Sequence, residues 1–196
     1  MFNLFKRKKT RSIIYEKHTI PTFKYHRNPL ETGAIILNND GKRCSCCNSL
    51  SKYIYLEPYY SKEDISCLCP ECISNGQAHS KFDLEFQDIH GCGKVSNKSI
   101  IEELCYRTPG YCSWQQENWL SCCDDLCDFI GCLNWDKIKE LKIDKEIVEA
   151  LNRNEDYIKM ELSLEVLIDA VNAGDIDLCV FQCLHCKKYL VDINLS

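Results

Sequence analysis

The chain lacks the features that mark several common functional classes. None of its apolar runs approaches the roughly 18 residues that a membrane-spanning helix needs. It has no glycine-rich phosphate-binding loop, no nucleophile elbow and no HExxH metalloprotease motif. Its 196 residues include only five histidines, so candidate general bases and imidazole ligands are few. These absences argue against a membrane-embedded protein and against the commonest hydrolase and nucleotide-binding classes.

The first residues also lack the pattern of a secretory signal. Met1–Phe5 is followed at once by the basic run Lys6–Lys9, and no apolar segment of signal-peptide length comes after it. We therefore expect a cytoplasmic protein, in a compartment where thiols stay reduced. The formal net charge of −5 argues against nucleic-acid binding, although the basic tail keeps it as an alternative.

What the chain has in abundance is cysteine, with 16 residues. At this density a reducing compartment favours metal ligation over disulfides. Two Cys-x-x-Cys pairs follow each other at the spacing of a Cys₄ zinc ribbon, Cys44/Cys47 and Cys69/Cys72, with an expected strand Lys52–Glu57 between them. Asn48 suits the left-handed knuckle position after the first pair. This pattern predicts a zinc site.

A third pair, Cys183/Cys186, needs two partners from elsewhere in the chain. A helix predicted from Trp114 to Ile130 would place Cys123 and Cys127 on one face, four residues apart. The sequence thus predicts a second zinc site made of Cys123, Cys127, Cys183 and Cys186, so that the chain binds two zinc ions, or one at minimum. Two alternatives stay open: Cys122 could replace Cys123, and the helical cysteines could simply be core residues.

The remaining pattern predicts an α+β fold. A zinc-ribbon-like N-terminal region is expected to pack on a helical half that a C-terminal β-hairpin closes. The expected helices cover about 97–108, 114–130, 135–151 and 163–174, and the hairpin strands cover 178–181 and 189–193. We expect a basic flexible tail over 1–20, the ribbon-like region over 21–95 and the helical region over 96–196, and 21–196 could form one domain. Other cysteines in apolar contexts are expected in the core, namely Cys105, Cys132 and Cys179.

No residue is assigned a catalytic role. His79 is the best candidate for an open metal position or for proton transfer, and a histidine bonded to the backbone in a loop is the simpler alternative. His185 lies inside the last cysteine pair, as a bystander or a substitute ligand. An active site between the two halves, near His79 and Arg107, remains the enzyme alternative.

Several segments in the same order resemble the CbrC family of small bacterial proteins. They are Phe23–Gly33, Leu68–Asp83, Arg107–Tyr111, Trp114–Trp119, Cys123–Gly131 and Phe181–Cys186. The resemblance implies an intracellular bacterial protein with metal-binding cysteine pairs and no established reaction. Lys187 departs from the family pattern, which has glycine there, and Cys122 stands where the family has histidine. We accordingly expect a regulatory or stress-tolerance role through a protein partner, with structural zinc sites.

Overall fold

The computed structural model describes residues 13–113 and 115–195. Helices and strands are mixed along the chain, and the α+β expectation is confirmed. In order, the elements are β1 Ile35–Leu37, β2 Tyr53–Tyr55, α1 Pro70–Ser74, α2 Gln77–Phe82, a 3₁₀ helix Ile89–Gly91, α3 Lys98–Arg107, β3 Ser121–Cys122, β4 Asp125–Leu126, β5 Asp128–Cys132, α4 Trp135–Glu140, α5 Asp144–Leu151, α6 Glu155–Met160, α7 Leu164–Ala173, β6 Ile176–Gln182 and β7 Tyr189–Leu195.

Three antiparallel sheets organise the described residues. β1 pairs with β2, β3 pairs with β4, and β5, β6 and β7 form a three-stranded sheet in that order. The expected C-terminal hairpin is confirmed as β6 and β7, whose register runs from Ile176 opposite Leu195 to Gln182 opposite Tyr189. This sheet is the framework on which the C-terminal half is built.

Local capping signals explain where the helices begin and end. The helix expected near 163–174 is confirmed: the Ser163 hydroxyl accepts a hydrogen bond from the Val166 amide, and Gly174 ends α7 with a left-handed φ of 84°. The helix expected over 135–151 is interrupted between α4 and α5 by Lys142, at a φ of 58°. The short helix α2 lies outside all the segments for which the sequence predicts a helix.

The helix predicted from Trp114 to Ile130 is wrong. The described part of this segment forms β3, β4 and the first residues of β5 instead. Cys123 and Asp124 both take a positive φ, 57° and 56°, and make the two-residue turn between β3 and β4. Non-local pairing of β5 with β6 overrides the local helical pattern, because burial in a sheet outweighs the small differences in helix propensity.

Buried side chains form three packed clusters. The first surrounds β1, β2 and α1 and contains Cys44, Cys69 and Cys72. The second packs α4, α5 and α7 against β6 and β7. The third is aromatic, with Trp119, Phe129 and Phe181 in mutual edge or tilted contact, and it contains Cys127 and Cys183. Cysteines from all three Cys-x-x-Cys pairs therefore lie in packed cores.

Candidate metal centres

The first candidate metal centre lies between a turn and the start of a helix. Cys44 and Cys47 lie on a tight turn closed by the hydrogen bond from the Asn48 amide to the Cys44 carbonyl, 2.8 Å long. Asn48 follows with a left-handed φ of 58°, as expected for this position. Cys69 is the residue before α1 and Cys72 lies within it, so the first helical turn points both thiols at the same space.

The four sulfur atoms of this first tetrad fit a tetrahedral ion. The Sγ atoms of Cys44, Cys47, Cys69 and Cys72 lie within 4.8 Å of one another, and those of Cys47 and Cys69 are 3.7 Å apart. Four sulfurs at about 2.3 Å from a zinc ion would form a tetrahedron with edges of about 3.8 Å. The observed separation is close to that edge, so the donor set and the spacing both suit a thiolate-bound metal.

A lysine from the N-terminal segment neutralises part of this site's charge. The Lys17 amine donates to the Cys69 sulfur at 3.3 Å and to the Cys47 sulfur at 3.5 Å. Burial opposes the charge on Lys17, but the hydrogen bond to Cys69 and the negative charges around it raise its pKa. The Cys69 amide also donates to the Cys44 sulfur at 3.2 Å. Hydrogen bonds from the Cys69 and Cys72 thiols lower the pKa of Cys44, which favours a thiolate there.

The second candidate centre joins two hairpin turns. Cys122 ends β3 and Cys123 lies in the turn that follows, while Cys183 and Cys186 lie in the loop between β6 and β7. That loop is closed by the hydrogen bond from the Cys183 amide to the Lys188 carbonyl, 2.9 Å long. Lys187 takes a φ of 62° at the position equivalent to Asn48 in the first knuckle, a left-handed conformation that glycine would adopt at lower cost.

The sulfur spacing of this second tetrad matches that of the first. The Sγ atoms of Cys122, Cys123, Cys183 and Cys186 lie within 4.8 Å of one another. The Cys122 sulfur is 3.8 Å from that of Cys123 and 3.7 Å from that of Cys186. Cys123 and Cys186 are exposed, unlike most of the first tetrad. The Lys188 amide and the Cys183 thiol lower the pKa of Cys186 to about 7.

The ligand set predicted for this second centre needs one correction. The structure brings Cys123, Cys183 and Cys186 together, but the fourth member is Cys122 and not Cys127. Cys127 is fully buried in the aromatic cluster, and its carbonyl accepts a hydrogen bond from the Trp119 indole at 2.8 Å. The four-residue spacing would align two thiols only on a helix, and this segment is a hairpin. The sequence signal for this hairpin is Asp124, because aspartate tolerates the left-handed conformation that it takes in the turn.

Neither candidate histidine belongs to a tetrad. His185 Nε2 lies 2.9 Å from a carboxylate oxygen of buried Asp125, which also contacts the Tyr25 hydroxyl at 2.8 Å and the Lys24 amine at 3.0 Å. His79 donates from Nδ1 to the Leu84 carbonyl at 2.7 Å. Both histidine side chains therefore have oxygen atoms as hydrogen-bond partners, and each tetrad is complete with sulfur alone.

A polar cavity of about 310 Å³ lies between α2 and α3. The His79 ring stacks on that of Tyr106 with centroids 3.8 Å apart, and both line the cavity with Arg107. Because Nδ1–H donates a hydrogen bond to the Leu84 carbonyl, Nε2 of this tautomer is a hydrogen-bond acceptor. Among the described residues, Nε2 has no hydrogen-bond partner. His79 and Arg107 thus come together, as the enzyme alternative required.

One pair of cysteines outside the tetrads departs from the expectation that its members are separate core residues. Cys132 and Cys179, expected as separate core residues, form a disulfide bond between β5 and β6. They are directly opposite each other in the strand register. This pairing depends on a non-local register that spacing along the sequence could not reveal.

Comparisons with known proteins agree on one family. The model of the uncharacterised protein family UPF0167 matches residues 20–195. The UPF0167 protein PA1536 of Pseudomonas aeruginosa is 34% identical over 184 residues, which cover 90% of this chain and 98% of that protein. The UPF0167 protein Mb2317 of Mycobacterium bovis is 30% identical over 173 residues, 87% of this chain and 91% of that protein. No solved structure matches. Within the residues that the structure describes, no helix is long and apolar enough to cross a membrane.

Proposed function

Because the chain belongs to the UPF0167 family of uncharacterised bacterial proteins, for which the names of its relatives state no activity, we propose its function from its own residues. We propose that it binds two zinc ions, one in each cysteine tetrad. The observation that carries this proposal is the packing of four sulfur atoms within 4.8 Å at each of two places. We also propose that the chain belongs to the CbrC family, which its sequence segments resemble.

Zinc is the ion that best suits these ligands. Four thiolates in tetrahedral arrangement are the ligand set of structural zinc sites and also of some iron–sulfur sites. Such a shell has no open position for a substrate, so the ions stabilise the fold. The thiols must be deprotonated and reduced to bind, which suits a cytoplasmic protein. The role we propose is therefore regulatory, exerted through a protein partner on the surface that the two zinc sites support.

Native mass spectrometry with elemental analysis tests this proposal on protein purified without added metal. We expect two zinc ions per chain and a lower melting temperature after chelation, because binding free energy contributes to folding free energy. Cys47→Ser should remove one ion, whereas its neighbour in the same knuckle, Cys46, is the matched control whose serine variant keeps both. If the protein is metal-free and chelation leaves its melting temperature unchanged, the proposal is refuted.

A second candidate function is supported by the cavity at His79. Its imidazole acceptor, the Arg107 guanidinium and the adjoining carboxylates Glu102 and Glu103 are the kinds of groups that bind a small polar molecule. We propose it as the alternative site for an enzyme activity. A screen of small polar metabolites by thermal shift would test it: ligands that stabilise the wild type but not His79→Ala support the site, and no stabilisation by any of them counts against it.

A further inference from the structure

The two cysteines of the Cys132–Cys179 disulfide differ sharply in exposure. Cys179 lies on the central strand of the three-stranded sheet and is completely buried. Cys132 lies on the edge strand β5 and is exposed. A thiolate from solution can therefore reach the Cys132 sulfur but not the Cys179 sulfur, and access is one of the factors that decide which sulfur is attacked.

A small pocket adjoins the accessible sulfur. It has a volume of about 180 Å³, and Cys132 lines it together with the aromatic rings of Tyr111 and Phe129. These rings stack at 4.2 Å and form an apolar wall. Glu57 and the exposed free thiol of Cys112 complete this side of the pocket. The disulfide is thus reached from a cavity of the size of a small thiol compound, and not from a flat surface.

The neighbouring cysteine is a poor candidate for the attacking group. Burial and the carboxylates of Glu57 and Glu117 raise the pKa of the Cys112 thiol. A protonated thiol is a weak nucleophile, because the thiolate is the reactive form. A thiolate from solution is therefore the better candidate for the attacking group.

If the two tetrads bind metal as proposed above, this disulfide is not a permanent covalent bond. Eight thiols lie in the two tetrads, and each must be reduced to bind metal. A disulfide can coexist with them where reducing thiols are abundant if it forms and breaks reversibly. Its exposed sulfur beside a pocket provides the route for that exchange.

We propose that Cys132–Cys179 is a thiol–disulfide exchange site for small neutral or cationic thiol compounds. The thiolate of the compound attacks the Cys132 sulfur, a new sulfur–sulfur bond forms between them, and the bond to Cys179 breaks. Cys179 leaves as a thiolate and takes a proton. A second molecule of the compound then attacks the mixed disulfide, which leaves the compound as its own disulfide and both cysteines reduced, so that two electrons pass from two thiols to the protein.

The same geometry explains the reverse reaction. When the disulfide form of the compound meets the reduced protein, Cys132 is the cysteine that can react and form the mixed disulfide. Cys179 remains directly opposite Cys132 in the strand register and displaces the bound thiol to restore the disulfide. Its buried position makes it the resolving cysteine and not the attacking one. Glu57 at the pocket repels anionic compounds, which sets the preference for neutral or cationic thiols.

Trapping the mixed disulfide tests the assignment. Zinc-loaded protein, reduced and in a Cys112→Ser background, is treated with cystamine and analysed by peptide mass mapping. When both Cys132 and Cys179 are present, we expect their disulfide to re-form without a lasting cysteamine adduct. Cys179→Ser should retain one cysteamine group on Cys132, whereas Cys132→Ser should carry none on Cys179. An adduct on Cys179, or none on Cys132 in folded Cys179→Ser protein, would overturn the proposal.

A second measurement needs no variant at the buried position. Cysteamine and 3-mercaptopropionate, of similar size and opposite charge, are compared as reductants of the wild-type disulfide at low ionic strength and equal thiolate concentration. Each rate is divided by the rate of the same compound with a neutral small-molecule disulfide, because the two thiolates differ in intrinsic nucleophilicity. We expect cysteamine to react faster by roughly 2–5-fold, a ratio that Glu57→Gln and high salt both reduce toward one. If the disulfide is reduced only after the metal is chelated, or if neither compound reduces it, the proposal of an accessible exchange site is contradicted.

Discussion

Two serine substitutions on one hairpin test which cysteine completes the second tetrad. Cys122→Ser removes a sulfur that lies 3.7 Å from the Cys186 sulfur, whereas Cys127→Ser changes a thiol buried in the aromatic cluster. Both substitutions replace one sulfur by one oxygen. They differ in whether the lost sulfur belongs to the tetrad, and therefore separate metal binding from stability.

The size of each effect follows from the role of the sulfur. Apparent binding free energies of structural zinc are about 10–16 kcal/mol, so an equal share for each of four ligands is roughly 2.5–4 kcal/mol. Loss of Cys122 should therefore weaken zinc binding at this centre by about 10²–10³-fold. A serine at Cys127 would place an unpaired hydroxyl in the core, costing about 1–3 kcal/mol of the free energy of unfolding. Its metal affinity should not change.

Zinc content after competition with a chromophoric chelator measures the difference. At a chelator concentration that leaves wild type with two ions, Cys122→Ser should keep one and Cys127→Ser should keep two. Cys127→Ser should also melt roughly 2–12 °C lower, by the scaling for chains of this length. If Cys127→Ser loses an ion while Cys122→Ser keeps both, the ligand set deduced from the structure is wrong and the helical expectation is right.

Three other predictions follow from single residues. Lys17→Ala should release the ion of the first tetrad to a chelator about 10–100-fold faster than wild type. Lys17→Arg retains the cation near Cys69 and should release the ion at close to the wild-type rate. Equal release rates from Lys17→Ala and wild type would contradict the proposed role of the amine. Asn48→Ala should lower the melting temperature by about 2–4 °C, because alanine tolerates the φ of 58° less well than asparagine. Asn48→Gly should not lower it. A lower melting temperature for both variants would show that the side-chain amide itself stabilises the protein. Burial lowers the pKa of His26 to about 4, so the unfolded chain takes up a proton below about pH 6.5 that the folded protein does not. Stability should therefore be complete above pH 6.5 and fall by about 2 kcal/mol between pH 7 and pH 5, as measured by urea unfolding, and a His26→Gln variant that shows the same fall would exclude His26 as the cause.

The first tetrad could be predicted from the sequence because its geometry is local. Two residues between each pair of cysteines set a tight turn, and Asn48 and Pro70 mark where the turn closes and where α1 begins. Only the meeting of the two turns is non-local, and the 21 residues between Cys47 and Cys69 leave room for the strand that joins them.

The second tetrad could be predicted only in part. The pair Cys183/Cys186 lies on a local turn like the first and can be predicted for the same reason. Its partners depend on whether residues 114–130 are helix or strand, and pairing of β5 with β6, about fifty residues away, decides that. The Cys132–Cys179 disulfide depends on the same register. Sequence patterns indicate which residues can be apolar neighbours along one element, but not which strands pair.

We propose that the chain holds two zinc ions in all-sulfur shells. X-ray absorption at the zinc edge, on protein shown by elemental analysis to contain two zinc ions per chain, tests it most directly. We predict an average shell of four sulfur atoms at about 2.3 Å and no nitrogen. A shell that contains nitrogen at about 2.0–2.1 Å would mean that a histidine such as His79 or His185 binds metal, and would contradict it.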